Sequence, residues 1–304
     1  MSIKKIQPEY LKPGDEVAVV SPSFCIDENL LVEAVALLEK WGLRVRIGKN
    51  ALKRNGPFAG SDQERLSDLQ EMINDREIKA VISSRGGYGV SRIINRIDFS
   101  DLKKNPKWFT GFSDITVLHM WLNEVYGIVS IHGEMPLNFS NPEKTGETLI
   151  SLKRSLFGDL DAIKWEGTFL RAGNVTGEVT GGNLSLIYSL NGTKAELCSR
   201  GKILFIEEVG EYYYHIDRML TSLKLAGKLD DLSALLIGGM NKIEEAKIPW
   251  GRSIEETIYD LVSEYSYPVY FNFPAGHVSD NRAFYIGKLA TIKVKGRTAV
   301  LKYV

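Results

Sequence analysis

Between residues 16 and 131, short apolar runs alternate with segments of helical spacing. This alternation admits few architectures. Glu16-Val-Ala-Val-Val20 is an apolar run ending in Ser-Pro-Ser, as a buried strand entering a loop does. Leu30, Ala34, Leu37, Leu38 and Trp41 then recur at helical spacing, and Gly42 is placed to stop that helix. A second strand is predicted at Arg44–Ile47. Residues 61–73 predict a polar helix with an apolar face at Leu66, Leu69 and Met72, and residues 79–83 a third strand running into Arg85-Gly-Gly-Tyr-Gly89. A fourth strand is predicted at Trp108–Gly111, a helix over about 114–125, and a fifth strand at 128–131. Strands and helices in this alternation predict an α/β domain with a parallel sheet covered on both faces. Ligands of such sheets gather at the carboxyl ends of the strands. The loops 21–25, 85–89 and 111–114 should therefore share one rim.

Beyond residue 140 the pattern changes. Asn141-Pro142 interrupts it, a helix is predicted over about 145–157, and a Gly-rich, polar stretch follows over 158–174. Apolar strands are predicted at 202–206, 234–237 and 269–273, with helices at 214–225 and 254–264. Residues 283–304 alternate apolar and polar side chains around Lys295-Gly-Arg297, which predicts antiparallel hairpins. The expected division is an N-terminal α/β domain over 1–145, a linker region over 146–175, and a C-terminal mixed α/β domain over 176–304.

Charge and composition exclude several function classes. Lys and Arg together number 38, as do Asp and Glu, so the formal net charge is zero. A nucleic-acid binder would carry a basic excess or stripe. The N-terminal residues have no apolar h-region, and no apolar run is long enough to cross a bilayer, so a cytoplasmic location without a membrane partner is expected. Cys25 and Cys198 form no metal or redox motif and are expected to be buried and inert. No H-x-x-x-H or C-x-x-C occurs, so neither a metal nor another cofactor is expected.

Four places could carry chemistry. In Thr110-Gly-Phe-Ser-Asp114 an apolar strand runs in and an amphipathic helix runs out. A serine at such a junction sits on a tight turn beside backbone N–H groups that can hold an oxyanion, as in a nucleophile elbow. The G-x-S-x-G pattern is incomplete, because Ile115 stands where its second glycine would be, and an ordinary helix cap would explain the same residues. Ser84-Arg-Gly-Gly-Tyr-Gly89 lets the backbone approach a ligand, as an oxyanion donor or phosphate cradle, or makes a plain tight turn. Among the histidines, His119 lies inside a predicted helix and reads as structural. His132 follows a strand and could line the rim, His215 sits among tyrosines at a helix start, and His277 lies on a glycine-flanked loop after a strand, where a base has freedom to act. The strand Ile203-Leu-Phe-Ile-Glu-Glu208 ends in two carboxylates. They should point to opposite sides, so at most one of them can orient a histidine; a solvated strand end is the plain alternative.

Taken in order, these pieces resemble the LD-carboxypeptidase family of serine peptidases, which includes muramoyltetrapeptide carboxypeptidases and microcin-C-immunity peptidases. The resemblance runs through Leu11-Lys-Pro-Gly-Asp15, Ser21-Pro-Ser23, Arg85-Gly-Gly-Tyr-Gly89, Gly111-Phe-Ser-Asp114, His132-Gly133, Thr180-Gly-Gly-Asn183, Leu204-Phe-Ile-Glu207, Ile216-Asp-Arg218 and Gly276-His277. It implies Ser113 as nucleophile, His277 as general base and Glu207 as the acid that orients it. It also implies backbone oxyanion donors at Asp114 and in the Gly86–Gly87 turn. The implied fold is an N-terminal domain like class I amidotransferases plus a C-terminal domain bearing the Glu and the His, with the site in the cleft between them. The implied substrate is a murein-derived tetrapeptide cut before its terminal D-alanine, with no cofactor, and the family often forms homodimers. Arg85 is a candidate for binding the substrate carboxylate. Glu134 stands where a proline is common, and His215 where an arginine is common. Two other readings accompany this one: an immunity-type peptidase cleaving peptide–nucleotide adducts, with Trp250 or Tyr212–Tyr214 for stacking, and a non-catalytic small-ligand-binding α/β protein.

Overall fold

The computed structural model describes residues 3–304, which form two compact units: residues up to Leu160 with Ser279–Gly287, and Asp161–Val278 with Lys288–Val304.

The first unit is the expected parallel α/β layer. Its elements are β1 (Glu16–Val20), α1 (Glu28–Lys40), β2 (Arg44–Ile47), α2 (Asp62–Asn74), β3 (Ile78–Ser83), α3 (Val90–Ile93), β4 (Trp108–Gly111), α4 (Thr116–Trp121), β5 (Ser130–His132) and α5 (Gly146–Phe157). Val17–Val20 and all of β4 are buried, as strands covered on both faces must be. The start of α2 is fixed by a capping box between Ser61 and Glu64, and α5 ends at Gly158 in the left-handed region (φ 88°).

The second unit contains β6 (Ala162–Glu166), β7 (Phe169–Leu170), β8 (Val175–Asn183), α6 (Leu184–Ser189), β9 (Ile203–Val209), α7 (Tyr213–Leu225), β10 (Ala234–Asn241), α8 (Ile254–Val262) and β11 (Val269–Tyr270). The chain then gives β12 (Phe284–Ile286) to the first unit, and β13 (Leu289–Lys295) and β14 (Thr298–Tyr303) to the second. Among the described residues, the first sheet runs β12-β5-β4-β3-β1-β2 and the second β6-β14-β13-β8-β9-β10-β11-β7. β1 to β5 are parallel, and β12 lies antiparallel on β5 with Phe284 opposite His132. In the second sheet β8, β9, β10 and β11 are parallel neighbours, flanked by antiparallel strands. No helix among the described residues is long and apolar enough to cross a membrane.

Four expectations change. The Gly-rich stretch 158–174 holds two strands; in β6 only Ile163 and Trp165 point inward, so the alternation is short and diluted by polar residues. The stretch expected as a linker over 146–175 opens with α5, which belongs to the first unit. The final segment makes one hairpin, β13–β14, whereas β12 is buried on both faces and joins the other sheet. Cys25 is half-buried and Cys198 exposed.

Candidate active site

In the first unit β1, β3 and β4 are consecutive neighbours, so the loops at their carboxyl ends meet. The Oγ atoms of Ser21 and Ser84 lie 2.7 Å apart, and Phe24 N–H donates to the Gly86 carbonyl at 3.4 Å. Ser113 leaves β4 with φ 62°, a left-handed conformation that costs a non-glycine residue roughly 1–3 kcal/mol. This is the tight strand-to-helix turn expected for it. Gly86 packs directly on the serine: a Cβ at position 86 would stand 2.9 Å from Ser113 Cβ, 3.0 Å from its Oγ and 3.5 Å from the Asp114 nitrogen. Only a glycine brings the backbone of the 84–89 loop this close to the hydroxyl. The Arg85 guanidinium donates to the Cys25 carbonyl at 3.0 Å and lies over Phe24, 5.7 Å from its ring centre.

In the second unit Glu207 lies on β9, fully buried. Its Oε2 accepts from His277 Nδ1 at 2.7 Å and from His277 N–H at 3.1 Å. A carboxylate oxygen only accepts, so Nδ1 carries a ring proton, which in the neutral imidazole leaves the lone pair on Nε2. Gly276 permits this contact: it has φ 103°, and a Cβ there would fall 2.6 Å from Glu207 Oε2. The carbonyl of His277 is held by the Asn241 side-chain amide. A carboxylate-oriented imidazole of this kind can take a proton from a hydroxyl and stabilise the imidazolium that results.

The other candidates lie elsewhere. His132 is fully buried and stacks on Phe284 at 4.7 Å, so it is a core residue and does not line the rim. His119 is also buried, accepting from Ser130 Oγ at Nδ1 and donating from Nε2 to the Gly111 carbonyl, each at 2.8 Å; burial lowers its pKa to about 4 and keeps it neutral. His215 pairs with Glu211 beside the stacked rings of Tyr212 and Tyr214. The Trp250 indole donates to Thr257 Oγ1 at 2.9 Å. Among the described residues no group of three or more His, Cys, Asp or Glu side chains is arranged to hold a metal ion.

Residues 17–133 match the LD-carboxypeptidase N-terminal domain and residues 176–292 the LD-carboxypeptidase C-terminal domain. The chain belongs to the LD-carboxypeptidase family. Membership makes it a serine peptidase. It is 38% identical over 300 residues to the probable murein peptide carboxypeptidase of Bacillus subtilis strain 168, covering 97% of this chain and 94% of the relative. The crystal structure of muramoyltetrapeptide carboxypeptidase from Oxalobacter formigenes superposes with a TM-score of 0.85 at 29% identity, covering 95% of this chain and 98% of that one. An MccF-like protein from Bacillus anthracis superposes with a TM-score of 0.87 at 26% identity, covering 98% and 99%.

Three features of this LD-carboxypeptidase escaped a residue-by-residue reading. Asn183, at the end of β8, donates from Nδ2 to Glu207 Oε1 at 3.2 Å and to Glu208 Oε1 at 2.9 Å, while its Oδ1 caps α6. Glu208 has a role of its own: it accepts from Ser185 N–H at 2.7 Å, and burial pushes its carboxyl above the usual range. Glu134 is a fully buried carboxylate paired with Lys144 at 2.8 Å and bonded by Asn281 at 3.1 Å. Each signal was local and ordinary: an Asn after two glycines, a second acid, an acid two residues before a proline.

Proposed function

We propose that this serine LD-carboxypeptidase cuts murein tetrapeptides between the diamino acid and the terminal D-alanine, with Ser113, His277 and Glu207 as its catalytic triad. The observation that carries the reading is the Glu207–His277 hydrogen bond of 2.7 Å, which presents an oriented base in a chain of this family. The strained turn at Ser113 and the close approach of Gly86 support the nucleophile assignment.

The chemistry follows from those groups. His277 Nε2 takes the proton of Ser113 Oγ as the oxygen attacks the carbonyl carbon of the diamino acid. Backbone N–H groups of Asp114 and of the Gly86–Gly87 turn hold the oxyanion. The intermediate collapses, D-alanine leaves with the proton from His277, and an ester joins the peptide to Ser113. Water, deprotonated by His277, attacks the ester and restores the serine, and Glu207 stabilises the imidazolium in both halves. Arg85 is assigned to the terminal carboxylate of the substrate, because its planar fork suits that group. The reaction needs no metal or organic cofactor, and the protein is assigned to the cytoplasm as a homodimer.

The test offers three compounds to the purified protein: the L,D-tetrapeptide, its L,L isomer, and an aminoacyl–nucleotide adduct of the immunity-peptidase type. Release of D-alanine from the first alone supports the reading. Cleavage of the adduct alone would move the protein to the immunity-type activity, and turnover of none would return it to a binding role.

A further inference from the structure

Asp114 follows the serine, and its backbone role leaves its side chain unexplained. A carboxylate in the first turn of a helix ordinarily stands at the surface, where water shares its charge. This one is fully buried. Its Oδ2 accepts from Ser23 Oγ at 2.6 Å and from Val90 N–H at 2.9 Å, while its Oδ1 is buried and accepts no hydrogen bond among the described residues. Burial pushes the carboxyl above its usual range. Burying a charged group with one oxygen unmatched is costly for a fold to keep.

The partners show what that cost maintains. Ser23 is itself fully buried and lies in the loop after β1; Val90 closes the loop after β3; Asp114 belongs to the turn after β4. One carboxylate oxygen thus ties together the loops of three adjacent strands. Arg65 reinforces the tie from α2, donating to the Pro22 carbonyl at 2.6 Å and to the Gly89 carbonyl at 3.0 Å, with the ring of Phe58 4.9 Å away. The Gly86–Gly87 turn hangs between these anchors and packs on Ser113. Oxyanion donors work only within a narrow range of distance and angle, so slack in this loop falls on the transition state.

We propose that the Asp114 carboxylate is a positioning residue: by holding Ser23 and Val90 it keeps the backbone donors of the Gly86–Gly87 turn in place beside Ser113. The inference rests on the peptidase reading above. Its test is the steady-state kinetics of D-alanine release from the tetrapeptide by wild type, Asp114→Ala, Asp114→Asn and Ser23→Ala. Asp114→Ala lowers kcat about 100-fold, the scale of one lost oxyanion donor, and leaves KM within about threefold. Asp114→Asn, whose amide oxygen can accept both bonds, stays within about tenfold of wild type, and Ser23→Ala lowers kcat about tenfold. Active wild type with Asp114→Ala and Ser23→Ala both at its kcat overturns the proposal, as does a loss confined to KM. If Asp114→Ala does not fold, Ser23→Ala decides alone: an undiminished kcat overturns the proposal. A wild type that releases no D-alanine overturns the peptidase reading and this inference with it.

Discussion

At the scale of single residues, a base is useful only if the correct nitrogen carries its lone pair. Glu207 sets this for His277, the proposed base, by accepting from Nδ1, and Gly276 makes room for the contact. Glu207→Gln keeps the volume but offers an amide N–H that favours the other tautomer. Its kcat is expected to fall by roughly 10²–10⁴-fold with little change in KM, measured as D-alanine release. A variant within a few-fold of wild type would remove Glu207 from the proposed triad. Ser113, Glu207 and His277, the proposed triad, each stand at the end of an apolar run, where a short stretch of sequence reveals a strand end, but their roles came from the family resemblance. The partners of Asp114, Glu134 and Asn183 were not legible. Ser23 lies 91 positions from Asp114, and Asn281 lies 147 from Glu134. No local pattern announces a bond across such a separation.

At the scale of elements, α4 carries a buried histidine whose protonation the fold opposes. His119 titrates at about 4 in the folded protein, because burial disfavours its charge, against an ordinary value of 6.5. As pH falls from 6.5 toward 4, the unfolded chain takes up a proton that the folded chain refuses, so stability drops. The His119 contribution is about 3 kcal/mol and is fully lost below pH 4. The buried carboxyls of Asp68, Asp114 and Glu208 are shifted upward and act in the opposite sense, gaining stability as pH falls. The comparison of wild type with His119→Gln isolates the histidine. Urea denaturation at pH 7 and pH 4.5 is expected to show a larger loss of stability in wild type than in the variant; equal changes would contradict it. Elements were legible where their period was long. The helix over about 114–125 was found, but the structure divides it into a 3₁₀ turn at Ser113–Ile115, α4, and a π turn at Leu122–Tyr126. Ser113 therefore enters through a tighter turn than an even helix would give.

At the scale of the molecule, the serine belongs to one unit and the Glu–His pair to the other, and the chain crosses between units at 160, 278 and 287. The expected blocks, 1–145, 146–175 and 176–304, are continuous and contain no return of the chain to the first unit. The returning segment is fixed within the first unit by side chains: Ala283 N–H donates to Ser151 Oγ at 2.8 Å, Asn281 N–H to Thr148 Oγ1 at 3.1 Å, and Asn281 Nδ2 to Glu134. The homodimer proposed above predicts twice the chain mass in sedimentation equilibrium, and a single-chain mass across micromolar concentrations would reject it. The central claim, that Ser113 is the nucleophile of a carboxypeptidase acting on an L,D bond, is tested most directly by comparing wild type and Ser113→Ala on a murein tetrapeptide, with D-alanine followed by mass spectrometry. The account predicts release by wild type and a loss of about 10⁴-fold or more in a folded Ser113→Ala. Release by the variant at the wild-type rate would contradict it.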